Sequence, residues 1–151
     1  MTETPLIEHI GWDLWRLAGH WKARYSAAMV ATGFHWYADA RGNLMPLIGR
    51  DGVAQNDLVA RAGMTKQAVQ QHLDSLARDG VIIRVSDPGD ARRKRIMFTA
   101  KGLASLDAAN AIKVEIEDHY ASLIGAERLA ALQADLRSLS AAEEDSPIAP
   151  P

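Results

Sequence analysis

The sequence predicts a mainly α-helical protein with one small β-hairpin, and three observations predict it. Apolar residues recur at spacings of three and four in long segments at both ends of the chain. Two short helical segments joined at Gly63 occupy the centre. One stretch, Val81 to Thr99, leaves helical spacing for β-branched residues around the turn signal Asp87-Pro88-Gly89-Asp90.

Composition sets the bounds. With 48% apolar and 24% charged residues in 151, the chain has the makings of a buried core and one module. Cysteine is absent, which excludes disulfides, thiolate metal sites and thiol redox sensing. No stretch reaches the roughly 18 apolar residues of a membrane span, and Met1 to Glu8 lacks a basic segment followed by an apolar run. A cytoplasmic protein without membrane partners is expected.

In chain order, Ile10, Leu14, Leu17, Trp21, Tyr25, Ala28 and Met29 predict a first helix over residues 7–31, ended by Gly33. Its added aromatics, Trp12 and Trp15 among them, exceed what one small domain covers, so a partner helix is implied. Phe34 to Gly52 predicts a short imperfect helix. Either Asn43 caps it with Pro46 in the first turn, or it starts near Ala38 and kinks at Pro46. A compact head is expected over about 38–99.

Within that head, Gln55 to Ala62 forms a short helix, Gly63 a tight turn, and Thr65 caps a helix carrying Val69, Leu73 and Leu76 on one face up to Gly80. Val81–Val85 and Arg95–Thr99 are the hairpin strands, with a long tip from Asp87 to Lys94. Leu103, Leu106, Ala109, Ile116 and Tyr120 continue a helix to about Leu123, Gly125 breaks it, and Leu129, Leu132, Leu136 and Leu139 mark a last one. Residues 7–139 form a single module, its outer helices spanning about 7–31 and 100–139. Residues 140–151, acidic and then proline-rich, are expected to be disordered.

The net charge of −2 argues against nucleic acid only until its distribution is read. Residues 61–101 hold nine Lys or Arg against four Asp, a net of +5, which leaves −7 elsewhere. Such a split presents an attractive field to phosphates from one side. Helix, glycine turn, capped helix and hairpin are the parts of a winged helix-turn-helix, whose second helix enters the major groove. On that helix Thr65, Lys66, Gln67, Gln70 and Gln71 are the candidate DNA contacts, since a glutamine amide pairs bidentately with adenine. On the tip, Arg92, Arg93 and Lys94 suit a narrow minor groove, with Asp90 aiming Arg92 through a charge-assisted bond. The plainer reading is a solvated glutamine-bearing helix and a mobile basic loop.

From Asn56 to Gly102 these residues resemble the MarR family of winged helix-turn-helix transcription factors. Asp57-Leu58-Val59-Ala60, Met64-Thr65, Leu73-Asp74-Ser75-Leu76, Asp79-Gly80-Val81-Ile82, Asp87-Pro88-Gly89-Asp90, Arg92 and Phe98-Thr99 before Lys101-Gly102 follow the family pattern. The resemblance implies a homodimer joined through the outer helices and bound to a pseudo-palindromic duplex operator. It also implies repression, relieved by a small effector. Aromatics at Trp15, Tyr25, Trp36 and Tyr37 would line a pocket for an aromatic effector, against the simpler reading that they pack core and dimer interface.

Three positions depart from the pattern. His72 replaces an aliphatic and is expected to be buried and neutral, the alternative being a pH switch through its protonation; Gly42 replaces an aromatic in a segment that also holds Pro46, and Ala91 replaces an arginine whose charge moves to Arg93. No metal-ligand spacing, phosphate loop, nucleophile elbow or catalytic carboxylate pair is present, so no cofactor, metal or enzyme activity is expected. The alternative function is a winged protein-interaction or ligand-sensing module without DNA binding, which the basic wing disfavours.

Overall fold

The computed structural model describes residues 7–145. The helices are α1 (Ile10–Ala31), α2 (Met45–Ile48), α3 (Gln55–Arg61), α4 (Lys66–Arg78), α5 (Ala100–Ile124) and α6 (Ala126–Asp145). Two 3-10 turns, His35–Ala38 and Ala40–Leu44, follow α1, and the strands are β1 (Val53–Ala54), β2 (Ile82–Asp87) and β3 (Asp90–Phe98). The backbone of the described residues forms two packing units that divide between Ile112 and Lys113. Their boundary falls inside α5, whose unbroken apolar spacing gives no sign of it.

In the first unit, Leu58 of α3 and Val69, Leu73 and Leu76 of α4 are buried with Val81, Ile82 and Ile96. Three- and four-residue spacing puts the α4 residues on one stripe. His72 lies on the flank of that stripe and is half-exposed, not buried as expected. Gly63 and Gly80 take positive φ of 61° and 72°, closing α3 and α4 where the sequence places their ends.

The segment between α1 and β1 resolves into the two 3-10 turns and the one-turn α2. Leu44, not Asn43, stands at the N-cap of α2, and Pro46 lies in its first turn, where the missing N–H costs nothing. Gly42 has a steric reason. A Cβ there would lie 3.0 Å from the Tyr37 Cα and 3.3 Å from the Trp36 carbonyl, so an aromatic side chain has no room.

The sheet has the order β1-β3-β2, antiparallel throughout. β1, two residues long, shows no alternation to read and is recognisable only from its pairing of Val53 with Ile96. The predicted eight-residue tip is corrected. β2 and β3 run on to a turn at Pro88-Gly89, and Arg92, Arg93 and Lys94 belong to β3. Ser86 pairs with Lys94 and Asp87 with Asp90, so residues 91–93 are extra on β3 and form a bulge. Backbone pairing extends the strands because the long cationic stems tolerate a pleat as well as a loop.

The α5–β3 junction is fastened to the end of α4. The Thr99 hydroxyl donates to the Gly80 carbonyl at 2.6 Å and accepts from the Gly102 N–H at 3.1 Å. The Lys101 ammonium donates to the Asp79 carbonyl at 2.8 Å.

In the second unit, α6 continues past Leu139 to Asp145, so residues 140–145 of the predicted tail are helical and 146–151 lie outside the described residues. Gln133 donates to Glu117 at 2.5 Å. Leu123, Leu132 and Leu139 are exposed.

Candidate nucleic-acid interface

Thr65 takes extended backbone angles (φ −63°, ψ 147°), and its hydroxyl accepts from the Ala68 N–H at 3.1 Å. The cap fixes where α4 begins and satisfies one of its free N–H groups, so the Thr65 oxygen is already committed. Lys66, Gln67, Gln70 and Gln71 are all exposed. At about 100° per residue, Gln67, Gln71, Asp74 and Arg78 stand opposite the buried stripe, and Gln70 lies toward one flank.

On that flank Gln70 accepts from Gln55 at 3.0 Å and donates to the Asp74 carboxylate at 3.1 Å. The Arg84 guanidinium lies 2.8 Å from the same Asp74 oxygen as an ion pair, off the alignment of a hydrogen bond. Gln55 and Arg84 are site residues the sequence did not single out. The Gln70–Asp74 pair stands at the i, i+4 spacing that makes helix neighbours, and was legible. Its links to α3 and β2 were not.

Arg92, Arg93 and Lys94 are exposed and, with Ala54, Gln55, Asn56 and Asp57, line a cleft of about 140 Å³ beside the start of α3. The expected Asp90–Arg92 charge contact is instead a backbone one: the Asp90 carboxylate accepts from the Arg92 N–H at 2.9 Å. The carboxylate shapes the bulge and leaves the guanidinium unaimed.

Behind the reading face, Arg41 moors α4. Its guanidinium donates from Nε and Nη2 to Asp39 at 2.9 and 2.7 Å, and from Nη1 to Ser75 at 3.0 Å and Asp79 at 2.9 Å. The Arg41 side chain is only 15% exposed. Sequence inspection missed it because two of its partners, Ser75 and Asp79, lie 34 and 38 residues away. The Arg41 hydrogen bonds hold the Asp39 carboxyl below its usual range, against a smaller opposing effect of burial. Folding therefore lowers the pKa, so this stabilisation is present above the unfolded carboxylate range and is lost as pH falls through the folded value. Asp39→Asn is expected to cost about 0.5 kcal/mol at neutral pH, reduced by solvent screening. The deficit should shrink as pH falls below the unfolded carboxylate range of about 4. Denaturant unfolding of both proteins across pH checks it, and a deficit independent of pH would contradict the assignment.

The four candidate effector residues do not form one cluster. Tyr25 meets Tyr37 edge-on at 5.9 Å, and Trp36 lies 6.3 Å from Tyr37. Trp15 is 67% exposed and stacks on Trp12 at 5.1 Å, ten residues and about 15 Å along α1 from Tyr25. Trp36 and Tyr37 are buried, and neither the indole N–H nor the phenol has an aligned hydrogen-bond partner. The Ser105 hydroxyl nonetheless stands close enough to Tyr37 to temper the upward push that burial gives its pKa. Burial, with Tyr37 beside it, pushes Tyr25 up to about 12. Absorbance titration should show the Tyr25 phenol ionising only near that value, and Tyr25→Phe should delete that step. A titration unchanged by the substitution would refute the packing described for Tyr25.

Among the described residues, no group of three or more His, Asp or Glu is placed to hold a metal ion, and no helix is long and apolar enough to cross a membrane.

A braced, capped helix presenting amides beside a basic antiparallel hairpin defines a winged helix-turn-helix. Residues 44–93 of the 151 match the model of the MarR family. Solved structures share the fold. A mutant of MepR from S. aureus is 21% identical over 89% of this chain and 98% of that one, with a TM-score of 0.71. MosR from M. tuberculosis, in complex with DNA, is 24% identical over 93% and 100%, with a TM-score of 0.61. PcaV from Streptomyces coelicolor, with its natural ligand, is 19% identical over 94% and 99%, at 0.64. No curated protein sequence matches the chain.

Proposed function

We propose that the protein is a homodimeric, sequence-specific duplex-DNA-binding transcriptional repressor whose grip on a pseudo-palindromic operator is relieved by a small effector. The observation that carries the reading is the exposed amide face of α4 flanked by the three wing cations of β3. Those parts supply base-edge contacts and phosphate contacts from one side of the molecule. DNA-bound MosR shares the fold. Binding to duplex from upstream of its own gene, followed across salt, tests it. Affinity is expected to fall steeply and linearly in the logarithm of salt, and absence of binding at low salt would sink the reading.

Dimerisation is supported by Ile10, Trp12, Leu14, Trp15 and Leu17, all exposed along the N-terminal half of α1, and by exposed Ile7 just before it. Such an apolar stretch marks a buried contact surface. Sedimentation should give twice the 16.5 kDa chain mass. Relief by an effector is supported by the buried, unpaired Trp36 indole N–H, a donor that a bound acceptor would satisfy. PcaV is described with a natural ligand. An aromatic carboxylic acid that quenches Trp36 fluorescence and weakens duplex binding would support that part of the reading.

A further inference from the structure

We infer that the amide face of α4 is divided in function: Gln67 and Gln71 read base edges, whereas Gln70 is a positioning residue in a brace running Gln55–Gln70–Asp74–Arg84. The inference rests on the proposed DNA binding by α4.

A glutamine reads adenine by accepting from N6 with its oxygen and donating to N7 with its nitrogen, so the amide plane must be free to turn to the base edge. Both ends of Gln70 are in use, the oxygen on Gln55 and the nitrogen on Asp74. Turning it to a base exchanges two protein hydrogen bonds for two new ones and gains little. Gln67 and Gln71 are exposed, and the side chain of neither makes a hydrogen bond within the described residues. They stand opposite the buried stripe of Val69, Leu73 and Leu76, the direction a helix turns toward a groove. Four residues apart, their amides are separated by about 6 Å along the axis, the rise of about two base pairs.

The brace also accounts for a carboxylate on this face. Asp74 would be repelled by phosphates and by the acceptor-rich groove, but Arg84 lies against its charge and Gln70 donates to it. Through these contacts α3, α4 and β2 are joined on the reading side, so loosening the brace misaligns α4 as a whole and weakens every sequence alike.

The test selects preferred duplexes from a random library with the full-length protein, then measures affinities for a panel of single base-pair variants of the selected site. Gln67→Ala and Gln71→Ala are each expected to flatten the preference at one or two adjacent positions, with a loss of discrimination of about tenfold. Gln70→Ala is expected to lower affinity severalfold across the panel with the pattern of preference kept. Asp74→Ala should do the same, and the double variant should be no weaker than either single one, because both changes open one brace. Gln70→Met, which keeps length and helix propensity, separates lost hydrogen bonds from lost folding. Flattening at a defined position by Gln70→Ala or Gln70→Met would overturn the inference, as would Gln70 and Asp74 losses that multiply. A wild-type protein that binds no duplex at low salt fails earlier and differently, since it removes the DNA-binding reading itself.

Discussion

Replacing Arg92, Arg93 and Lys94 together by alanine is expected to lower duplex affinity by roughly two to three orders of magnitude at about 0.1 M salt, with the preferred sequence retained. Each cation that neutralises a phosphate contributes about 0.9 to the slope of log affinity against log salt, so three should flatten it by close to 2.7. All three side chains are exposed on β3, Arg92 and Arg93 within the bulge at residues 91–93 and Lys94 at the pair that closes it. Folding should be untouched, because none of them contributes to the core. An equilibrium titration at several salt concentrations decides the matter. A loss confined to one duplex sequence, or an unchanged slope, would mean that the wing does not lie on the phosphate backbone.

Gly102→Ala is expected to destabilise the folded protein by about 3 kcal/mol and to lower the midpoint of thermal unfolding by about 10 °C. Two effects oppose each other here. Alanine within a helix ordinarily gains close to 1 kcal/mol over glycine. Against that, a Cβ at position 102 would press deep into the Val81 carbonyl oxygen and lie 2.7 Å from Phe98 Cδ1. Val81 is backbone at the α4–β2 corner and Phe98 is a core ring, so neither gives way cheaply. The clash therefore sets the sign. Calorimetry on the variant checks it, and a rise in stability would show that the corner yields.

Much of the fold was legible because its signals are local. The three- and four-residue spacing of Val69, Leu73 and Leu76 gives α4, Thr65 gives its start and Gly80 its end, all within a few residues of one another. The Gly42 anomaly becomes intelligible only when the backbone of Tyr37 is seen to pass over it. β1 escaped because two residues carry no period, and the wing tip was misread because Arg92, Arg93 and Lys94 look like loop and pair like strand. In the reading face, residue types were legible but their commitments were not. That Gln70 is held and Gln67 is not depends on Gln55, fifteen residues away in the chain and adjacent in space. The aromatic set divided for a similar reason: periodicity places Trp15 and Tyr25 on one helix without saying what each touches.

The Arg41 mooring has a directional consequence. A guanidinium is flat, and its donors leave along fixed lines in one plane. Asp39 takes one edge of that plane, while Ser75 and Asp79 take donors from another nitrogen. The helix α4 is thus held in azimuth as well as in distance, as a keyed shaft is and a ball joint is not. A lysine at position 41 would preserve the charge and allow the helix to swivel.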